Sequence, residues 1–420
     1  MSPETIVLAV GVVAAVYMAW NIGANDVANA MGTSVGSGAL TLMGAVVLAG
    51  IFEFAGATLV GTHVTETVRK GILTASAFST SGPLGEDAPR ILMMGMVSAL
   101  AAAGVWLQIA TSYGLPVSTT HSIIGALVGF ALVAVDGSAV AWGTVGKVAA
   151  SWVLSPVLGG VIAAAMFVWV SRGILRHDEP VEATARLGPH MIALVVFILV
   201  LSFVYKALSN VLEEPRWWAV ALGAAVIAGL GWAISRWLLR RTAPPADADP
   251  YPYVETIFGR LQIVTACFVA FAHGANDVAN AVGPVAAVVQ IHQLGELPAQ
   301  VPVPMWILVL GGVGIVVGLA TWGYKVIATV GGSITELTPT RGFSAEFGAA
   351  TTVLLASRLG MPVSTTHTLV GAVIGVGVAR GMAALNLRMI GRIVNSWIVT
   401  LPVAGAFSAG FFLLLRWLVV

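Results

Sequence analysis

The chain has 420 residues, 58% of them hydrophobic and 9% charged, with a formal net charge of +1 and a mean hydropathy of +0.94. Soluble domains carry about 25% charged residues, so this composition excludes a soluble globule and describes an integral membrane protein. The near-zero charge argues against a nucleic-acid partner, the lone Cys267 excludes an internal disulfide, and no G-x-x-x-x-G-K-[ST] sequence offers a way to use ATP.

Residues 1–5 hold no Lys or Arg and no small-residue cleavage site follows Trp20. The apolar run 6–20 is therefore expected to stay as a first crossing rather than leave as a signal peptide. It leads into "GANDVANA" at 23–30, which puts Asp26 near membrane depth. An acid there could cap a helix beginning at "VANA". Against a cap alone stands the cost of an ionised carboxylate in a bilayer, at least ~2.5 kcal/mol, which Ser or Asn would avoid. Apolar runs follow at 45–60 and 91–110, with "VGTHVTE" at 60–66 between them.

"PVSTTH" at 116–121 comes next. Its Pro breaks the preceding segment, Ser118 caps the helix that follows, and the run 122–134 is short for a full crossing. The pattern predicts a re-entrant half-helix that starts inside the membrane. Such a start aims free N–H groups and the positive end of the helix dipole into the protein, and the Ser and Thr hydroxyls add donors. That is an anion site made from neutral parts. His121, one turn in, reads as a hydrogen-bonded structural histidine, and no second His or Cys lies at metal-ligand spacing.

Two apolar helices, about 189–208 and 216–239, occupy the centre of the chain. The loop before them holds Arg172, Arg176 and Arg186, and the stretch after them holds Arg236, Arg240, Arg241 and Arg260. The turn joining them is acidic, with Glu213 and Glu214. The positive-inside rule places both Arg-bearing segments in the cytoplasm. "TAPPADADPYPY" at 242–253 has the composition of a poorly ordered linker.

"GANDVANA" then returns at 274–281 with Asp277, "VGGSITE" at 330–336 answers "VGTHVTE", and "PVSTTH" returns at 362–367 ahead of a short run, 368–378. Ser151-Trp152 followed by Pro156 reappears as Ser396-Trp397 followed by Pro402. Four matches in one order mark a duplicated protein: repeat one at 1–171, an insert at 172–257 with two unpaired helices, and repeat two at 258–420. "GVGIVVG" at 312–318, in a long apolar run at 307–330, reads as small residues for close helix packing. With the last run at 393–420, the fold class is an all-α polytopic membrane protein of about ten to twelve segments, some broken or re-entrant. An odd number of crossings per repeat would invert the copies and leave both termini outside, a common plan for secondary transporters. His63 faces Ser333 in the alignment of the repeats and His273 faces Ile22; neither receives a role.

Two anion-seeking half-helices thus share a fold with two carboxylates, and the motifs hold no Lys or Arg. An anion bound near Asp26 and Asp277 would be repelled by several kcal/mol unless positive charge lay between them. That charge is expected to be mobile, either co-bound Na⁺ or protons on the acids, so the anion crosses with its cation. Glu66 and Glu336, the third repeated acids, either pair with Arg69 and Arg341 at a helix end or contribute to a cation site.

"GANDVANA" and "PVSTTH", each present twice around a central cytoplasmic loop, resemble the inorganic phosphate transporter (PiT) family over 6–171 and 258–415. The resemblance implies import of inorganic phosphate by symport, with Na⁺ favoured over H⁺, through an inverted-repeat fold in the plasma or inner membrane. It implies no enzyme activity and no cofactor beyond the coupling ion. On matching positions, Asn25, Ser118, Thr119, Thr120, Asn276, Ser364, Thr365 and Thr366 would hold the anion. Asp26, Asn29, Asp277 and Asn280 would hold Na⁺, with Glu66 and Glu336 left open. The short central loop lacks the large cytoplasmic domain of animal relatives. Some relatives carry sulfate or a metal–phosphate complex with protons; an acceptor such as Asp26 or Asp277 near the anion would favour phosphate, which can donate a hydrogen bond. A re-entrant channel would leave the repeated acids without purpose. An intramembrane hydrolase using Ser118 or Ser364 would lack a repeated third group to orient its His. Homo-oligomerisation stays open.

Overall fold

The computed structural model describes residues 2–61, 71–207, 216–245, 248–296, 303–358 and 363–419. Glu66, Arg69, Glu213, Glu214 and Pro362 lie outside the described residues. Apart from one isolated bridge, Leu73 to Val140, the described secondary structure is helical. Nine helical stretches among the described residues are long and apolar enough to cross a membrane. This suits a bilayer, where each backbone N–H and C=O must find a partner within the protein.

In the first half, α1 (Pro3–Asp26) starts at a Ser2 cap and ends at a one-residue break, Val27, before α2 (Ala28–Gly36). Then come α3 (Leu42–Val60), a hairpin of α4 (Ala88–Ser112) and α5 (Thr119–Ala134), and α6 (Trp142–Val170). The central helices α7 (Pro180–Ser202) and α8 (Trp217–Arg241) pack on each other. The second half holds α9 (Pro250–Leu294), α10 (Met305–Trp322), the short α11 (Tyr324–Ala328), a hairpin of α12 (Pro339–Arg358) and α13 (Thr365–Arg380), and α14 (Leu387–Val419).

Two sequence expectations change. The linker expected over 242–253 ends early, because α9 begins at Pro250: Asp249 accepts the Tyr251 N–H at 3.1 Å, and an Asp-Pro start outweighs the Pro-rich composition. α7 begins at Pro180, so Arg186 sits in a helix rather than a loop. Neither repeated acid caps a helix. Asp26 is the last residue of α1, and Asp277 lies inside an unbroken α9 of 45 residues.

The halves pack reciprocally. α1 lies on α10 as α9 lies on α3, and α5 lies on α14 as α13 lies on α6. At the last two crossings a Cβ on Gly129 would stand 2.1 Å from the Gly405 carbonyl oxygen, and one on Gly375 would stand 2.1 Å from that of Gly160. Only hydrogen fits there, so backbone meets backbone. The first hairpin opens beside Thr74 and Ala139, joined by a 2.9 Å backbone bond, where α6 begins. The second opens where Arg380 bonds the Glu336 carbonyl at 2.8 Å, beside Ser171 and Arg176 at the far end of α6. With 29 residues, α6 is about 43 Å long, more than a hydrocarbon core. The hairpins therefore open at opposite ends of a crossing helix, and their closed ends meet in the interior, where Thr366 Oγ1 lies 3.4 Å from the Val117 carbonyl oxygen.

Candidate ion and anion site where two half-helices meet

Ser118 and Ser364 hold the two closed ends with nearly the same backbone, φ −80°, ψ 121° and φ −83°, ψ 121°. Each hydroxyl accepts the N–H three residues on, from His121 and His367, at 3.2 Å. The serine oxygens thus cap their helices, while the first N–H groups of α5 and α13 have no intrahelical partner. Thr119 and Thr366 are buried, and Thr120 and Thr365 are partly accessible.

The long helices brace the tips across the halves. Asn29 of the first half donates to Thr366 at 2.8 Å, and Asn280 of the second donates to Thr119 and Thr120, both at 3.3 Å. Asp26 joins both tips, accepting from Thr119 at 2.7 Å and Thr366 at 3.3 Å. Asn276 donates to Asp277 at 2.7 Å. Asn25, expected as an anion ligand, bonds to the first half's own chain. Its amide donates to Thr111 at 2.9 Å and the Leu115 carbonyl at 3.0 Å, and its oxygen accepts the Val117 N–H at 3.1 Å. It holds the segment leading into the first tip.

His273, given no role from the sequence, stands among the acids. His273 Nδ1 is 3.0 Å from Glu53 Oε1, and Nε2 is 2.9 Å from Asp277 Oδ2 and 3.8 Å from Asp26 Oδ2. All four side chains are buried, and ligand atoms of Asp26, His273 and Asp277 lie within 4.8 Å of one another. A proton on each nitrogen would make the imidazole a positive charge among three carboxylates. Neither His273 nor Glu53 belongs to a repeated block, which is why repeat matching passed over them. The available signal was an acid alone inside an apolar crossing, 45–60, and a His replacing Ile22 beside the motif.

Two acceptors in the cluster, Asn29 Oδ1 and Glu53 Oε2, are buried without a donor. Such an acceptor costs about 1–3 kcal/mol, and a hard cation held by oxygen ligands would satisfy it. A cavity of about 50 Å³ reaches the site, lined by Asn29, His273, Asn276, Thr365 and, further along, Glu346 and Ser202. Glu346 is a second buried acid outside the repeated blocks. It accepts from Thr33 at 2.6 Å, Ser34 at 2.9 Å and Gln262 at 3.2 Å, and from Thr265. Glu336 is not part of this interior. Its side chain is 79% exposed and pairs with Arg341 at 3.5 Å and Arg380 at 3.3 Å, which is the helix-end alternative. His121 and His367 are held by ring contacts: they meet each other edge to face at 4.7 Å, and His367 stacks on Trp397 at 3.8 Å.

Known proteins share this architecture. A solved structure described as "the sodium-dependent phosphate transporter" superposes with a TM-score of 0.86 at 42% identity, covering 98% of this chain and 99% of its own. A chloroplastic inorganic phosphate transporter 2-1 from Arabidopsis thaliana is 47% identical over 415 residues, 93% of this chain and 69% of the plant protein. A protein named as a phosphate permease from Pyrococcus abyssi is 49% identical over 403 residues, 96% of either chain. The family model for the phosphate transporter family matches residues 22–408, which takes in both repeated acids and both hairpins. The chain belongs to the phosphate transporter family, whose members are transporters and not enzymes.

Proposed function

We propose that this protein imports inorganic phosphate in symport with Na⁺, by exposing the site between the two hairpin tips alternately to the two sides of the membrane. The observation that carries the reading is the cluster of three buried carboxylates, Asp26, Glu53 and Asp277, around one imidazole and beside two capped helix starts. With His273 charged and the acids ionised, the cluster is two positive charges short of balance before any anion arrives. A phosphate anion at the N–H groups and threonine hydroxyls of both tips needs cations to come with it, and more than one of them. Asp26 and Asn29 on one side, and Asp277 and Asn280 on the other, supply the oxygens. Asn29 Oδ1 is the acceptor already waiting for a partner. Thr119, Thr120, Thr365 and Thr366 face the anion, with Asn276 beside them. The solved relative's description favours Na⁺ over H⁺.

Two hairpins that open at opposite ends of α6 support an inverted relation between the halves, the symmetry that lets one site face either way. Arg90 bonds the Val419 carbonyl at 2.8 Å at the first hairpin's open end, opposite the Arg-bearing segments, which supports an outside C-terminus.

The deciding experiment is labelled-phosphate uptake into proteoliposomes under an inward Na⁺ gradient or an inward proton gradient, each with and without excess sulfate. Accumulation driven by Na⁺ and indifferent to sulfate is expected. Accumulation driven by protons alone would make the acids proton carriers, and sulfate competition would reopen the choice of oxyanion. Flux without accumulation would sink the symport reading.

A further inference from the structure

We propose that the crevice at the open end of the second hairpin is a second binding site for a phosphate group, separate from the transport site. The crevice has a volume of about 290 Å³ and lies between the end of α6, the start of α9 and the open end of the α12–α13 hairpin. Three guanidinium groups line it, Arg176, Arg341 and Arg380, together with the hydroxyl-bearing Thr338, Thr340 and Ser171. Ser364, at the hairpin's closed end, is the length of the 16-residue α13 away, about 24 Å.

The charges are unevenly committed. Glu255, the acid among the lining residues, is engaged with the start of α12, accepting from the Thr340 N–H at 2.8 Å and its hydroxyl at 3.0 Å. Arg341 and Arg380 both lean on Glu336, whose carboxylate is largely in solvent. Arg176 is exposed, and no carboxylate among the described residues lies within ion-pair distance of it. Three guanidinium groups against two carboxylates leave one positive charge, carried by a planar donor set suited to a tetrahedral oxyanion. An oxyanion can displace the Glu336 carboxylate from two arginines at little cost, because exposed pairs contribute at most about 1 kcal/mol. The crevice takes either free inorganic phosphate or the phosphomonoester headgroup of a lipid at this Arg-rich face.

A bound phosphate group would bridge Arg176 at the end of α6 to Arg341 on α12 and Arg380 on α13. Occupancy would tie both helices of the second hairpin to α6, stabilising the protein and slowing turnover. The test is the thermal stability of the purified full-length protein in detergent, titrated with potassium phosphate in sodium-free buffer, dioctanoyl phosphatidic acid, or dioctanoyl phosphatidylcholine as control. Arg176→Gln and Arg176→Lys are compared with the unaltered chain. At least one phosphate-bearing ligand is expected to raise the midpoint, with about a five-fold weaker apparent affinity in Arg176→Gln and less than half that loss in Arg176→Lys. A response to phosphatidic acid alone identifies a lipid headgroup, and a response to inorganic phosphate alone identifies the free anion; both support the site. Equal affinities in the unaltered and Arg176→Gln proteins would place any phosphate effect at the transport site and overturn the proposal. So would no stabilisation by either ligand.

Discussion

Replacing His273 by Gln tests whether a fixed positive charge belongs to the ion cluster. The ring contacts Glu53 at 3.0 Å and Asp277 at 2.9 Å, with Asp26 at 3.8 Å. Removing one partner of a buried ion pair costs about 3–5 kcal/mol, because the group left behind stays desolvated. Gln keeps one amide donor near the position of Nε2, so the low end applies, about 3 kcal/mol, or roughly a hundredfold in the folding equilibrium. The three carboxylates then lack their resident cation, and Na⁺ is the replacement at hand. The variant should unfold more easily in choline chloride and recover much of the difference in sodium chloride. Its phosphate uptake should depend more steeply on Na⁺, with the Hill coefficient rising by about one. Denaturation in detergent with and without Na⁺, followed by Na⁺ titration of uptake, gives both readouts. Unchanged stability together with an unchanged Na⁺ dependence would refute the idea that His273 contributes charge to the site.

Asp26→Asn and Asp277→Asn should each abolish accumulation while leaving folded protein in the membrane; uptake at the unaltered rate in both would remove the acids from the coupling site. Asn25→Ala deletes three hydrogen bonds to the segment before the first tip, a net loss of about 2–4 kcal/mol, and should lower stability and transport together. A stability loss with normal uptake would mean that the tip needs no such brace. Gly375→Ala drives a Cβ to 2.1 Å from the Gly160 carbonyl oxygen and should cut the yield of folded protein sharply, as judged by gel filtration of detergent extracts. Trp397→Phe keeps the ring over His367 but drops the 2.9 Å bond to the Pro116 carbonyl, so a modest loss of about 1 kcal/mol is expected, read as a lower thermal midpoint.

The legible part of this protein was its repetition. "GANDVANA" and "PVSTTH" recur because each does the same local work twice, and local work is written in neighbouring residues. Ser118 and Ser364 cap their helices with backbone angles within a few degrees of each other, as the Ser after a Pro and an apolar residue suggested. The helix start at Asp249-Pro250 was also written locally, but proline-rich composition obscured it. For Asp26 and Asp277 the cost of a buried charge argues against a cap, but a sequence shows only that an acid is adjacent to a helix, not whether the helix stops there.

What the sequence determined by itself was a membrane chain built from a duplicated unit, with two half-helix starts and two acids that lipid would not tolerate unpartnered. Hydropathy, proline and helix capping act over a few residues, so they survive in one dimension. Only the tertiary structure decided what partners those acids. It brought Glu53 of α3 and His273 of α9 together across 220 positions, set Asn29 and Asn280 against the opposite hairpins, and tied Asn25 to the segment leading into the first tip. It also moved Glu336 to the surface and placed Glu346 in the interior, though Glu336 is the repeated acid and Glu346 is not. Electrostatic balance in a buried site is a sum over every charge within a few ångströms, and those distances exist only after the helices have packed.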